Sequence, residues 1–127
     1  KVLESYLGMS QPDLDNFNVN IHRGTNEGGK LKEVGFNHWN SPNSEATDEY
    51  GFRALPGGFR PNGIPIEGQS YFYNLGTLAF FWTSTDETSL QTYVYGPWIR
   101  VLFATYPDIS RYGDYKENGF SVRCLKD

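Results

Sequence analysis

The chain has one cysteine, one methionine and two histidines in 127 residues. A lone Cys124 excludes an internal disulfide and leaves three fates open: a buried thiol, a bond to a segment outside this sequence, or a reactive nucleophile. Two isolated histidines fall short of the three or four His, Cys or carboxylate ligands that zinc takes. No apolar run is long enough to cross a bilayer as a helix, so no membrane insertion by this segment is expected. The eleven Lys and Arg are scattered and outnumbered by fifteen Asp and Glu, for a net charge of −4. That excludes the clustered cationic stripe by which proteins hold nucleic acid. Neither an internal repeat nor a low-complexity tract is evident, and the length suits one domain, 1–127, around one core.

What is abundant is aromatic. Phe, Trp and Tyr make up 17% of the chain while all hydrophobic residues together reach only 38%, so rings rather than aliphatics must supply much of the burial. Nine Tyr also suit a surface that grips a partner, because Tyr brings a large ring and a hydroxyl at little entropic cost.

The stretch Phe80-Phe81-Trp82-Thr83-Ser84-Thr85-Asp86 alternates Phe80, Trp82 and Ser84 with Phe81, Thr83 and Thr85, which predicts a central strand covered on both faces. Residues 79–83, 91–95, 98–104 and 119–125 all read as strands, with Tyr95-Gly96-Pro97-Trp98 as a tight hairpin. In 98–104 the set Ile99, Val101 and Phe103 is the better core face. Residues 1–8 read as the end of a helix stopped at Gly8, with Leu3 and Leu7 at i, i+4 spacing; the missing cap predicts that the helix begins upstream. Residues 9–29 and 106–118 read as irregular loops, with a short strand allowed at 16–21. Residues 51–58 read as a short strand ended by a Pro-Gly turn.

Oxygen-bearing side chains crowd residues 37–50. Such a loop caps itself through side-chain to backbone bonds, or it offers Asn43, Glu45 and Asp48 to a hard cation such as Ca²⁺.

Catalytic constellations are thin. Ser84, His38 and Asp86 contain the residue types of a nucleophile, base and orienting acid, without a nucleophile elbow to present the serine. Asp86 and Glu87 are adjacent on a strand end and point apart, unlike a glycosidase pair. His38 is better placed to pin the loop beside Trp39, and His22 to face solvent. The set that stands out is Tyr93, Tyr95, Trp98, Arg100, Tyr106, Asp108, Ser110, Arg111, Tyr112, Asp114 and Tyr115. Tyr and Trp rings stack on sugars or fill a partner's pockets while Arg and Asp orient it, and core packing is expected to claim Trp98 first.

Five motifs then occur in a recognisable order: Gly29-Lys30-Leu31-Lys32-Glu33; His38-Trp39-Asn40-Ser41-Pro42-Asn43; Gly51-Phe52-Arg53-Ala54-Leu55-Pro56-Gly57-Gly58; Phe81-Trp82-Thr83-Ser84-Thr85; and Gly119-Phe120-Ser121-Val122-Arg123-Cys124. In these the chain resembles the Fibrobacter succinogenes major paralogous domain family over nearly its whole length. The resemblance implies an α+β fold of the formylglycine-generating enzyme and C-type lectin kind, with a small antiparallel sheet and long irregular loops. It implies a secreted or lipoprotein setting on the outer surface of Bacteroidetes and related bacteria, where some members are diversified targets of retroelements. Trp82, His38, Trp39, Phe120 and Cys124 are read as structural. The family's Cys-Pro and Gly-Trp opening precedes the point where this sequence starts, so Cys124 is expected to have lost a disulfide partner or to be buried beside Phe120 and Val122. Copper chemistry of the formylglycine-generating kind needs two thiols, and one Cys argues against it. The expectation is a non-enzymatic binding module for a protein or glycan; the alternative is a structural subunit whose aromatic patch is a self-contact.

Overall fold

The computed structural model describes residues 1–16, 22–63, 71–84 and 96–125. It is a small α+β domain. Two short helices, α1 (Val2–Tyr6) and α2 (Gln11–Asp15), precede strands β1 (His22–Arg23), β2 (Leu78–Trp82), β3 (Trp98–Phe103) and β4 (Ile109–Gly113). The strands form one antiparallel sheet in the order β1-β4-β3-β2. Much of the remaining chain is loop, joined to the sheet by isolated bridges.

Local chemistry explains the helices. Gly8, at φ +101°, turns the chain out of α1 in a conformation that glycine adopts without strain. Ser10 caps α2 by accepting from the Asp13 backbone N–H at 3.3 Å, and a proline stands in the first turn. The Ser10-x-x-Asp13 signature corrects the reading of 9–29 as unbroken loop.

The strands follow period two, but their order differs from expectation. β3 and β4 are the interior strands, whereas β2 stands at the edge of the four. Parallel bridges from Gly58 to Ala79 and from Ser121 to Phe81 cover part of the outer edge of β2. Residues 119–125 make only such bridges, at Gly119 and Ser121, and 51–58 likewise bridge only at Ala54 and Gly58; neither is a strand. Conversely, β4 runs through the segment read as loop at 106–118. The readings at 16–21 and 91–95, and the hairpin from Tyr95, fall wholly or partly outside the described residues.

Register divides the side chains between two faces. Ala79, Phe81, Trp98, Arg100, Leu102, Ile109, Arg111 and Arg23 share one face, against the helices. There Leu7, Met9, Leu14, Leu31, Trp39, Ala54, Ala79, Leu102, Ala104 and Ile109 make the larger core. On the other face Phe80, Ile99 and Val101 make a second core, covered by Phe59, Leu78, Trp82, Phe103, Tyr112 and Phe120. Each Val, Leu, Ile or Phe so buried contributes roughly 1.5–3 kcal/mol of transfer free energy. Ile99 and Val101 therefore do face a core, and Trp98 and Leu102 face the other one.

Candidate functional site

Arginines tie the helices to the sheet. Glu4 of α1 is buried and accepts from Arg100 through both oxygens, at 2.8 and 3.1 Å, and from Arg23 as well. Burial alone would raise the Glu4 carboxyl, but hydrogen bonds and charge from Arg100 and Arg23 outweigh it and lower the pKa to about 2. Arg111 donates to the carbonyls of Leu14 and Asn16, at 3.3 and 2.6 Å, with its guanidinium 5.2 Å from the Trp98 ring centre. These contacts dock α1 and α2.

Of the eleven residues read as a ligand face, Tyr93 and Tyr95 lie outside the described residues. Trp98, Ser110 and Arg111 are buried, and Arg100 is engaged with Glu4, so these four serve the interior rather than a surface. Tyr112 packs on the second core, and that burial, with Asp114 adding to it, pushes its hydroxyl up to about 12. Tyr106 and Asp108 stand before β4 while Asp114 and Tyr115 stand after it, separated by the strand's five residues, or roughly 15 Å. The expected single face is thus two surface patches at opposite ends of β4.

The patch before β4 is the better built. Exposed Tyr106 lies 4.2 Å from the His22 ring centre, and Phe103 lies 4.9 Å from it on the same histidine. His22 Nδ1 is 2.7 Å from Asp108 Oδ1, which fixes the orientation of the imidazole. His22, on the two-residue strand beside β4, was read only as solvent-facing; its register opposite Ser110 is what a single sequence could not supply.

Beneath this patch the backbone is clasped. Lys32 Nζ donates to the carbonyls of Phe103 and Tyr106, at 2.8 and 3.1 Å. Ser44 donates its backbone N–H to Ala104 O at 2.8 Å and its hydroxyl to Thr105 O at 3.0 Å, and Gly29 N–H reaches Pro107 O at 2.7 Å. Five consecutive carbonyls, 103 to 107, are held by three residues of the 29–44 segment. The approach is close enough that a Cβ on Gly28 would stand 2.1 Å from Asp108 O, and one on Gly29 2.2 Å from Glu45 O. Burial lowers the Lys32 ammonium to about 8, with Asp108 and Glu45 opposing the shift.

The oxygen-rich loop is mostly exposed, and of its oxygen-bearing side chains only Asn43 is buried. Asn43 Nδ2 donates to Glu33 O and Gly35 O at 2.9 and 2.8 Å, leaving its buried Oδ1 without a partner. Asp48 Oδ1 accepts from Arg53 N–H at 2.6 Å, and Glu45 is exposed. Asn43 and Asp48 thus stitch the loop to itself and its neighbours, and no group of three His, Cys, Asp or Glu suited to a metal ion occurs among the described residues. His38 Nδ1 lies 2.7 Å from Glu33 Oε2, and Arg53 lies 3.3 Å from the other oxygen; the histidine bond leads in lowering the Glu33 carboxyl. Trp39 is buried and donates Nε1–H to Ala54 O at 2.9 Å. Of the Ser84, His38 and Asp86 set, Asp86 lies outside the described residues.

Phe120 and Trp82 meet at 4.7 Å between ring centres, and Phe120 stacks on Phe80 at 5.2 Å. Val122 and Cys124 do not follow Phe120 inward: beyond Ser121 the described chain makes no bridge to β2, and both side chains are exposed. That corrects the buried-thiol reading of Cys124. No helix among the described residues is long and apolar enough to cross a membrane.

No curated protein and no solved structure matches the chain. A sequence model of the Fibrobacter succinogenes major domain does match, over residues 1–126, and the chain belongs to that family.

Proposed function

We propose that this domain is a non-enzymatic binding module, displayed on or secreted from a bacterial cell, which recognises a protein or glycan through the His22, Phe103, Tyr106 and Asp108 patch. The five-carbonyl clasp under Tyr106 carries the reading. A recognition turn whose backbone is already fixed loses little conformational entropy when it binds. Tyr106 offers a ring face for a sugar or for a partner's apolar side chain, and Asp108 with His22 offers polar atoms beside it. The lectin-like and formylglycine-generating-enzyme-like superfold belongs to the same proposal, as does an outer-surface location in Bacteroidetes. Asp114 and Tyr115 form a second contact area beyond β4. A structural Ca²⁺ is not needed for recognition by this patch.

The test is a glycan array together with capture of surface proteins, run with the wild-type chain and with Tyr106→Ala and His22→Ala. Loss of about tenfold or more in the retained signal, with folding intact, is expected for residues at the centre of a contact. Equal retention by both variants would sink the proposal. A structural-subunit reading draws on the exposed run Tyr71, Phe72, Tyr73 and Leu75, which suits a self-contact; a strictly monomeric chain in concentrated solution by sedimentation velocity contradicts it.

A further inference from the structure

A recess of about 140 Å³ opens at the outer edge of β2, between the Phe52–Leu55 stretch and the segment after Ser121. It is on the helix-facing side of the sheet, because Phe81 pairs with Arg100 and alternates with Phe80, and so is separate from the Tyr106 patch. Its walls are Phe52 and Phe81, whose rings meet nearly edge-on at 5.6 Å and 79°. Two such rings form a corner with two apolar walls. The volume is comparable with the ~150 Å³ cavity that takes up one benzene molecule in another protein.

The two charged side chains lining the recess among the described residues are both arginines. Arg123 holds its guanidinium 5.4 Å from the Phe52 ring centre, and Arg53, with 68% of its side chain exposed, also lines the recess. Among the described residues no acid lines the recess, although the chain as a whole carries net −4. Glu33, on Arg53, shares its charge with His38; Arg123 is the freer cation for a ligand. Ser121 also lines the recess and brings a hydroxyl donor.

We infer that this recess is a second binding site, for a compact apolar group carrying a carboxylate: an aryl or branched-chain acid, free or as the C-terminal residue of a polypeptide. The ring or branch fills the Phe52–Phe81 corner. The carboxylate reaches the guanidinium of Arg123, whose planar fork takes it through two parallel hydrogen bonds.

The experiment is a titration of the isotope-labelled chain, followed by amide resonances, with phenylacetate, phenylacetamide and a short peptide ending in a free Phe carboxylate. Expected are saturating shifts confined to Phe52, Arg53, Phe81 and residues 121–123, with phenylacetamide weaker by about tenfold or more. Arg123→Gln should weaken phenylacetate by a similar factor without moving the unfolding midpoint. Peptide binding at the same residues makes the site a reader of chain ends, and binding of phenylacetate alone makes it a site for free acids; either supports the inference. Equal affinity for acid and amide, or no shift in that set at about 10 mM phenylacetate, where sites of even millimolar Kd fill, overturns it.

Discussion

The two faces of the sheet bury comparable strands by different chemistry. Against the helices a largely aliphatic core is joined by buried polar contacts, with Glu4 held by Arg23 and Arg100 and with Arg111 on helix-end carbonyls. On the far face aromatic rings close around the aliphatic Ile99 and Val101, and the outer members are only partly covered. The difference teaches that aromatic abundance here is first a packing device. A chain short of aliphatics completes its second core by packing Phe59, Phe80, Trp82 and Phe120 around Ile99 and Val101, and what is left over at its rim, Tyr106 above all, becomes available for recognition.

The largest effects should show whether both faces really are cores. Phe80→Ala removes a buried ring from the aromatic face and should cost about 3–5 kcal/mol in denaturant unfolding. Glu4→Ala leaves two arginines facing one another without their acid and should cost a similar ~3–5 kcal/mol. A cost below about 1 kcal/mol for Phe80→Ala, the range of ordinary surface changes, would mean that the far face is a surface and not a core.

Acid sharpens the contrast next. Because Glu4 sits at about 2 when folded and at its ordinary 4.5 when unfolded, its contribution is complete above about pH 4.5 and is lost as the pH falls through 2. Stability measured from pH 6 to 2 should fall more steeply for wild type than for Glu4→Gln; parallel curves would contradict the ionic account of the helix face.

Lys32→Met is expected to be intermediate. It keeps the stem but leaves Phe103 O and Tyr106 O without their donor, for a loss of about 1–3 kcal/mol. Hydrogen exchange should quicken in residues 103–108 more than in β2. With a folded pKa of about 8 against 10.5 unfolded, the unfolded chain holds the Lys32 proton over a range where the folded chain has released it. Wild-type stability should therefore rise between pH 8 and 10, and the rise should vanish in Lys32→Met.

Tyr106→Ala should move stability least, by under about 1 kcal/mol, since the turn is held through its carbonyls and not through that ring. A larger loss would make Tyr106 part of the second core and erase the distinction drawn between the two.

Much of the fold was legible in the sequence, for identifiable reasons. Period two in Leu78–Trp82 and Trp98–Phe103 marked β2 and β3, and Gly8 marked the end of α1. The order of strands was not legible, since pairing between segments distant in the chain leaves no local trace; hence β2 was taken as central. Ile109–Gly113 hid because Ser110 and Arg111, polar side chains, are buried there by partners contributed from elsewhere. The candidate site was half legible. Tyr106 and Asp108 were named from their chemistry, but a linear reading could not see that β4 sets them apart from Asp114 and Tyr115, nor that Arg100 was already engaged by Glu4. The motif Gly29-Lys30-Leu31-Lys32-Glu33 was visible as a family mark; its physical task, clasping the turn below Tyr106, required the structure.

The most direct measurement is binding of wild type and Tyr106→Ala to one glycan array and one set of captured surface proteins, with the unfolding free energy of both chains determined alongside. The account predicts about tenfold or greater loss of retained signal with stability within about 1 kcal/mol of wild type. Undiminished binding by Tyr106→Ala would contradict it.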